Sequence, residues 1–375
     1  MINNLTIKNF KAHSNTELDL KNLNILTGIN GVGKSSVFQT LLLLRQSYEN
    51  NVLTKGLQLN KPYCYIGNYE DAIYQYADND VIEFSINDDL NEKYTWKFKP
   101  EKNNLTGDFV PIISDLISDI KDISIFNDNF QYLSASRFSK NESNTFAVES
   151  KRQLSLERGQ AELVAHFLFY WGKEKKEKVR FENLKHPTTS DNDLLSQTSA
   201  WEREISPGVN VVPVRSGNSY VIKYSFKKSG DVTNEFSSDN VGYGLSYALP
   251  IIVAILSSDK NSLILVENPE AHLHPRGQSE LAKLIALAAH NGIQIIVETH
   301  SEHIINGVLV ACKRFEQEGI GIAKELVKIY HFKRDEDKHC AVVQPIEILA
   351  DGKLDNQPED FFEQTEKDLN YLLGF

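Results

Sequence analysis

The sequence has few of the features that mark secreted or membrane proteins. Only three of its 375 residues are cysteines, Cys64, Cys312 and Cys340, and they lie far apart without a C-x-x-C pair. This spacing favours neither a disulfide framework nor a zinc module. No run of about 18 apolar residues is present, and the first ten residues lack the apolar core of a signal peptide. The sequence therefore predicts a cytoplasmic protein without a membrane-spanning segment.

Basic residues are also scarce. Lysine and arginine number 40 against 51 aspartates and glutamates, so the formal net charge is −11. This balance argues against a surface that is basic overall, although a local basic groove on a dimer stays open. Hydrophobic residues make up 41% of the chain, which is enough for a sizeable core. The length accommodates two domains, or one domain with a large insertion.

Glycines concentrate in one functional pattern. The stretch Gly28-Ile-Asn-Gly-Val-Gly-Lys-Ser35 matches G-x-x-x-x-G-K-[ST] at every fixed position. Apolar residues 23–26 precede it and the leucine-rich residues 36–46 follow it, which predicts a strand, a phosphate-binding loop and a helix. We expect Lys34 to reach the β- and γ-phosphates of ATP and the Ser35 hydroxyl to bind Mg²⁺. The predicted nucleotide-contacting residues are Asn30, Gly31, Val32, Gly33, Lys34, Ser35 and Ser36.

Two further apolar runs end in polar side chains. Residues 263–266 lead into Glu267, which predicts a buried parallel strand that carries an acid at its carboxyl end. We expect Glu267 to bind Mg²⁺ directly or through water. The next residue is Asn268, whose amide cannot accept a proton, so Glu270 is the predicted general base, or hydrolysis is slow. The second run, residues 294–297, precedes Glu-Thr-His300-Ser.

These motifs occur in a characteristic order. The phosphate loop is followed by Val-Gly-Tyr-Gly-Leu-Ser, then by Glu-Asn-Pro-Glu-Ala-His-Leu-His-Pro and by Glu-Thr-His-Ser-Glu-His. The chain resembles the stand-alone ABC-type/AAA-family ATPases of the SMC, RecF and OLD branch, as found in bacterial defence clusters. That resemblance implies an α/β fold, a P-loop NTPase of the ABC-type ATPase-head class with a mixed β-sheet and an inserted α/β lobe.

The resemblance also implies roles for individual residues. In ABC-type heads a glycine- and serine-bearing turn that opens a helix contacts the γ-phosphate held by the opposite subunit. Gly242, Gly244 and Ser246 are the candidates here, although the usual Leu-Ser-Gly-Gly-Gln is not present. His300 resembles the switch histidine, which contacts the γ-phosphate. The usual Mg²⁺-sensing glutamine has no assigned position in this chain.

The predicted organisation is discontinuous. We expect the head in residues 1–50 and 236–345, an inserted lobe in 51–235 and a C-terminal tail in 346–375. Residues 4–9 alternate polar and apolar and predict an edge strand, and residues 162–180 predict an amphipathic helical arm within the lobe. Arg137 could reach a phosphate or a neighbouring subunit, but a surface or ion-paired arginine is the preferred interpretation.

Three functions fit this reading. The first is an ATP-switched sandwich homodimer that acts as a sensor or regulatory subunit in anti-phage defence, with the effector chemistry on a second protein. The second is an ATPase that binds DNA ends in repair or recombination, although no basic, aromatic-studded stretch indicates direct DNA binding. The third is an OLD-like nuclease partner. It is disfavoured because its nuclease domain needs on the order of 150 residues, more than follow His300.

Overall fold

The computed structural model describes residues 1–101, 106–115, 120–137, 142–228, 231–355 and 363–373. Within these residues the strands are β1 (Ile2–Phe10), β2 (His13–Asp19), β3 (Leu23–Gly28), β4 (Gly56–Gln58), β5 (Ile82–Asp88), β6 (Lys93–Phe98), β7 (Phe109–Pro111), β8 (Phe130–Leu133), β9 (Val209–Ser216), β10 (Ser219–Lys228), β11 (Asp231–Val232), β12 (Phe236–Ser237), β13 (Leu263–Glu267), β14 (Gln294–Glu298), β15 (Val327–Asp335) and β16 (Cys340–Ile346). The α-helices are α1 (Lys34–Glu49), α2 (Tyr69–Ala72), α3 (Val164–Phe167), α4 (Leu194–Ile205), α5 (Tyr243–Leu256), α6 (Pro275–His290), α7 (Glu302–Glu318) and α8 (Glu363–Leu373).

A six-stranded mixed sheet forms the centre of the fold. Its strand order is β16-β15-β3-β14-β13-β8, and every neighbouring pair is parallel except β15 and β16. Both faces of β13 and β14 are buried, which explains why their sequences are continuous apolar runs. The register pairs Glu298 with both Glu267 and Leu26, so three strands end at one edge of the sheet. The predicted α/β class with a mixed sheet is confirmed.

The side chains of the central sheet alternate between two apolar clusters. On β13, Ile264 and Val266 belong to one cluster, whereas Leu263 and Leu265 belong to the other. The first cluster includes residues of α5, α6 and α7, and the second includes residues of α1. The sheet is therefore covered on both faces, as a parallel sheet requires. No helix in the described residues is long and apolar enough to cross a membrane.

A second, antiparallel sheet contains the N-terminal strands. Its order is β2-β1-β5-β6, so β1 lies inside the sheet and pairs with strands on both sides. The expectation of an edge strand at residues 4–9 is therefore wrong. The alternating pattern predicts a strand with one buried face, but it carries no information about the number of neighbouring strands.

The segment 51–235, predicted as an inserted lobe, contributes strands to both of these sheets. Strand β8 pairs with β13 at the edge of the central sheet, and β5 pairs with β1. A separate sheet is built by β9, β10, β11 and β12. The backbone N–H and C=O groups of a strand need hydrogen-bond partners, and here β5 and β8 provide them from parts of the chain that are distant in sequence.

The predicted helical arm at residues 162–180 is shorter than expected. Helix α3 continues as a π-helix over Leu168–Glu174 and then ends. Lys176 has a positive φ of 49°, and Lys178 forms a β-bridge with Asp193. The carboxylate of Glu162 accepts backbone hydrogen bonds from Leu156 and Glu157, so it fixes a loop. Of the predicted tail, residues 356–362 and 374–375 lie outside the described residues.

Candidate nucleotide-binding site

The phosphate loop connects β3 to α1 at the carboxyl edge of the central sheet. Gly28 has a φ of 132°, and a Cβ atom there would lie 2.3 Å from the carbonyl oxygen of Phe332 on β15. Gly33, with a φ of 104°, is the N-cap of α1. Only glycine adopts these backbone angles without strain and leaves β15 in place, so the loop needs glycine at both positions.

Lys34 is almost completely buried beneath this loop. Its Nζ donates hydrogen bonds to the carbonyl oxygens of Gly28, at 2.9 Å, and Ile29, at 2.6 Å. Burial lowers the pKa of Lys34, and the nearby Glu298 carboxylate opposes that shift. Both acceptors are neutral carbonyls, so among the described residues no hydrogen-bonded carboxylate neutralises the ammonium group. A cation in this setting is suited to a phosphate.

A cleft of about 330 Å³ opens at the loop and at the start of α1. It is lined by Lys11, Ala12, Asn30, Gly31, Gly33, Lys34, Ser35, Ser36, Gln39 and Glu298. Six of the seven predicted nucleotide-contacting residues are in this set. The seventh, Val32, is buried in the apolar cluster that includes α1, so its side chain supports the loop from below.

Glu298 is the acidic side chain in this cleft, and sequence analysis did not single it out. Its Oε1 accepts a hydrogen bond of 3.0 Å from the Ser35 hydroxyl, and its Oε2 is buried without a hydrogen-bond partner in the described residues. Burial, together with the charge of Glu267, raises the pKa of Glu298 to about 7. The signal was available, since Glu298 ends the apolar run of β14 just as Glu267 ends that of β13.

Glu267, the predicted magnesium ligand, has both carboxylate oxygens engaged towards β8. Its Oε1 accepts a hydrogen bond of 2.9 Å from the Tyr132 hydroxyl, and its Oε2 accepts one of 3.1 Å from the backbone N–H of Ala135. The carboxylate is thus held between β13 and the turn that follows β8.

Glu270, the predicted general base, lies beside His300. The Oε2 of Glu270 accepts a hydrogen bond of 2.7 Å from the Thr299 hydroxyl, and its Oε1 accepts one of 3.0 Å from the backbone N–H of His300. Burial and the charge of Lys34 lower the pKa of His300, whereas the Gly28 carbonyl favours its protonated form. His300 therefore lies beside the phosphate loop.

Residues 23–306 match the family described as "AAA domain, putative AbiEii toxin, Type IV TA system". The chain belongs to this AAA family. Residues 322–372 match a second family, described as a protein of unknown function (DUF3696). No curated protein matches the chain.

The fold of this AAA-family protein is shared with SMC head domains. An SMC head bound to the C-terminal winged-helix domain of ScpA has a TM-score of 0.55 at 15% identity, over 92% of this chain and 98% of that one. An SMC head from Pyrococcus furiosus, with an extended coiled coil and bound to the C-terminal domain of ScpA, has a TM-score of 0.53 at 15% identity, over 99% of both chains. At this identity the likeness shows the fold alone, and that fold is the ABC-type ATPase head.

Arg137 has a structural position in this AAA domain. It is 2% exposed, and burial lowers its pKa to about 10. Its guanidinium donates to the carbonyl oxygens of Ser134, Glu267, Asn268 and Tyr247. The preferred interpretation of a surface or ion-paired arginine is therefore wrong. Because the guanidinium carries several N–H donors, it can bond four backbone carbonyls at once, and Arg137 thereby joins the end of β13 to α5.

The predicted γ-phosphate-contacting turn is split between surface and interior. Gly242 is the exposed N-cap of α5, and this helix begins without a side-chain cap. Gly244 packs against the turn after β13, where an added Cβ would lie 2.9 Å from the carbonyl oxygen of His272. Ser246 is 8% exposed and close to the buried Tyr224 hydroxyl, so its side chain faces the interior. Of the three candidates, Gly242 is the one presented at the surface.

His13 supports the loop from β2, and no sequence motif marks it. It is fully buried, with Nε2 3.0 Å from the Gly33 carbonyl oxygen and Nδ1 2.8 Å from the Thr16 hydroxyl. A carbonyl only accepts, so Nε2 carries the proton and Nδ1 accepts from Thr16. Burial lowers the pKa of His13 to about 4. The neutral imidazole thereby joins the antiparallel sheet to the end of the phosphate loop.

Proposed function

We propose that this protein binds ATP with Mg²⁺ at the cleft beside α1 and hydrolyses it. The observation that carries the proposal is the glycine loop with Lys34 buried beneath it, hydrogen-bonded to two loop carbonyls. Helix α1 begins directly after the loop without an acidic residue in its first turn, so its N-terminus favours an anion.

The donor set of the cleft fits a magnesium nucleotide. Ser35 offers a hydroxyl oxygen, and Glu298 offers a carboxylate that lines the cleft and lies 3.0 Å from that hydroxyl. Oxygen ligands of this kind are those that Mg²⁺ prefers, and few are needed from the protein because phosphates and water complete the shell. Bound Mg²⁺ would supply charge neutralisation and orientation of the phosphates.

For hydrolysis, Glu270 is the proposed general base. It is fixed by Thr299 and the backbone of His300, and His300 lies next to the loop. Asn268 is at the neighbouring position and can orient water, but its amide cannot take a proton. His300 is proposed to contact the γ-phosphate. General-base catalysis requires the base to lie within hydrogen-bond reach of the attacking water, and side chains at this edge of the sheet would hold that water in place.

Calorimetric titration of ATP into wild type and Lys34→Ala tests nucleotide binding. Removing a charge-assisted contact is expected to cost about 1.5–3 kcal/mol, or about ten- to a hundredfold in affinity. Lys21→Ala is the matched control, because Lys21 is an exposed lysine that does not line the cleft. Equal affinities for Lys34→Ala and Lys21→Ala would contradict this site.

We propose further that ATP controls a two-fold homodimer in which each nucleotide is shared between subunits. Support comes from α5, whose uncapped N-terminus at Gly242 is exposed and offers N–H groups to an anion. A γ-phosphate held by a partner's loop has the matching charge. ATP would then stabilise the dimer by binding it in preference to the monomer.

Such a nucleotide-controlled dimer suits a regulatory subunit, and we propose this role in a bacterial anti-phage defence system with the effector chemistry on a second protein. The proposal rests on the family resemblance of the motifs. Its test is purification of the protein with its untagged operon neighbours in ATP and in ADP, followed by mass spectrometry. A neighbour retained in a nucleotide-dependent manner supports the role, and purification without any neighbour under both conditions contradicts it.

A further inference from the structure

We propose that Glu298, rather than Glu267, is the acidic side chain that contacts the Mg²⁺ of the bound nucleotide. The inference deepens the proposed ATP site and rests on it. The sequence motif predicts Glu267, at the end of β13, as the metal ligand. The geometry of the sheet points instead to Glu298, at the end of the neighbouring strand β14.

Strand order places Glu298 closer to the phosphate loop than Glu267. Strand β14 pairs directly with β3, the strand that leads into the loop, and it separates β3 from β13. Glu298 is in register with Leu26, two residues before the loop begins at Gly28. Neighbouring strands lie about 4.8 Å apart, so Glu267 starts one strand spacing farther from the nucleotide.

The contacts of the two carboxylates also favour Glu298 over Glu267 as the metal ligand. Glu298 lines the cleft, with one oxygen 3.0 Å from the Ser35 hydroxyl and the other without a partner in the described residues. A serine hydroxyl and a carboxylate at this separation can contact one cation together. An unpartnered buried carboxylate oxygen is costly, and a ligand to it would remove that cost.

Glu267 is committed to the other side of its strand. Tyr132 is buried on β8, and its hydroxyl donates a hydrogen bond of 2.9 Å to the Glu267 carboxylate. The backbone N–H of Ala135 satisfies the second oxygen. Both bonds fix the turn after β8, so Glu267 is a positioning residue in this arrangement. Moving it onto a metal would leave Tyr132 and Ala135 without their acceptor.

The test compares Glu298→Gln with Glu267→Gln in the full chain. Gln is isosteric with Glu and keeps an oxygen for Ser35 or Tyr132, so both variants are expected to fold, which thermal unfolding verifies. ATP affinity is titrated in chelator and in Mg²⁺. Binding of Mn²⁺ to the protein–ADP complex is followed by electron paramagnetic resonance, a readout independent of turnover.

We expect Glu298→Gln to keep the affinity measured in chelator but to lose at least about tenfold of the gain that Mg²⁺ provides, in line with the loss of one charge-assisted ligand. Its Mn²⁺ affinity should fall similarly, whereas Glu267→Gln should retain both. Equal losses in the two variants, or a loss confined to Glu267→Gln, would overturn the assignment. Failure of the wild type to bind ATP in chelator and in Mg²⁺ would instead refute the proposed ATP site, and this inference with it.

Discussion

Glu202 lies on α4 with 0% of its surface exposed, and neither carboxylate oxygen has a hydrogen-bond partner in the described residues. The side chains of Thr198, Tyr224 and Ser246 are also buried, and the hydroxyls of Tyr224 and Ser246 lie close to each other. Burial raises the pKa of Glu202 well above its usual range, and the Glu202 charge in turn helps to raise the pKa of the buried Tyr224. Burial of Glu202 therefore favours the neutral form of its carboxyl over the charged form in the folded protein.

Stability should consequently depend on pH through Glu202. A folded-state pKa above the unfolded value means that stability is full at low pH and decreases as pH rises above the unfolded pKa near 4.5. Glu202→Gln replaces the ionisable carboxyl by a neutral amide and so removes the free-energy cost of keeping that carboxyl protonated at high pH. The stability of the variant relative to wild type should therefore be higher at pH 8 than at pH 5. Urea unfolding at both pH values measures this. Glu182→Gln, at a side chain 88% exposed, is the control, and parallel behaviour of the two variants would contradict the prediction.

Glu270 permits a second prediction about single residues. If it is the general base, Glu270→Gln should reduce single-turnover hydrolysis about a hundredfold or more while ATP still binds. Asn268 has a φ of 43°, which aspartate tolerates better than glutamate, so Asn268→Asp is the variant that places a carboxylate at position 268. Faster turnover in Asn268→Asp with an unchanged rate in Glu270→Gln would show that the wild type lacks a base and hydrolyses slowly.

Between elements, His13 is the link from β2 to the phosphate loop and α1. Its folded-state pKa of about 4 is below the unfolded value of 6.5, so the stability that it confers is full above about pH 6.5 and is lost as pH falls towards 4. The two values correspond to about 3 kcal/mol. His13→Gln should lack this part of the acid destabilisation, and ATP affinity should fall because the loop loses its support. His303→Gln, at an exposed histidine, is the control and should follow the wild type in both measurements.

At the scale of the whole molecule, substitutions at Gly242 distinguish the stability of the subunit from its dimerisation. Nothing lies within 4 Å of an added Cβ, and its φ of −60° suits any residue. Gly242→Asp should cap α5 and stabilise the subunit by roughly a few tenths of a kcal/mol, because glycine is itself a fair N-cap residue. In the proposed dimer the same carboxylate would face a partner's γ-phosphate, so ATP-dependent dimerisation should be lost. Gly242→Asn caps without charge and should dimerise. Sedimentation with Mg²⁺ and a non-hydrolysable ATP analogue distinguishes them, and a dimer in Gly242→Asp would contradict the shared-nucleotide arrangement.

The sequence by itself determined the phosphate loop, because its function resides in consecutive residues whose glycines and lysine act through local backbone geometry. It also determined the buried parallel strands β3, β13 and β14, since apolar runs of this length between polar turns have few other uses. The sequence also indicated Glu270 and His300 as candidates, each after one of these strands, whereas their contact depends on the pairing of β13 with β14.

Tertiary structure decided what depends on residues distant in sequence. Ser35 and Glu298 are 263 positions apart, and Glu267 faces β8 rather than the loop only because β8 pairs with β13. The same holds for His13 beneath Gly33, for Arg137 among four carbonyls and for Ser246 turned towards Tyr224. Periodicity shows that a side chain is on a strand or helix, but the neighbour that it meets depends on strand order and packing, which no local pattern encodes.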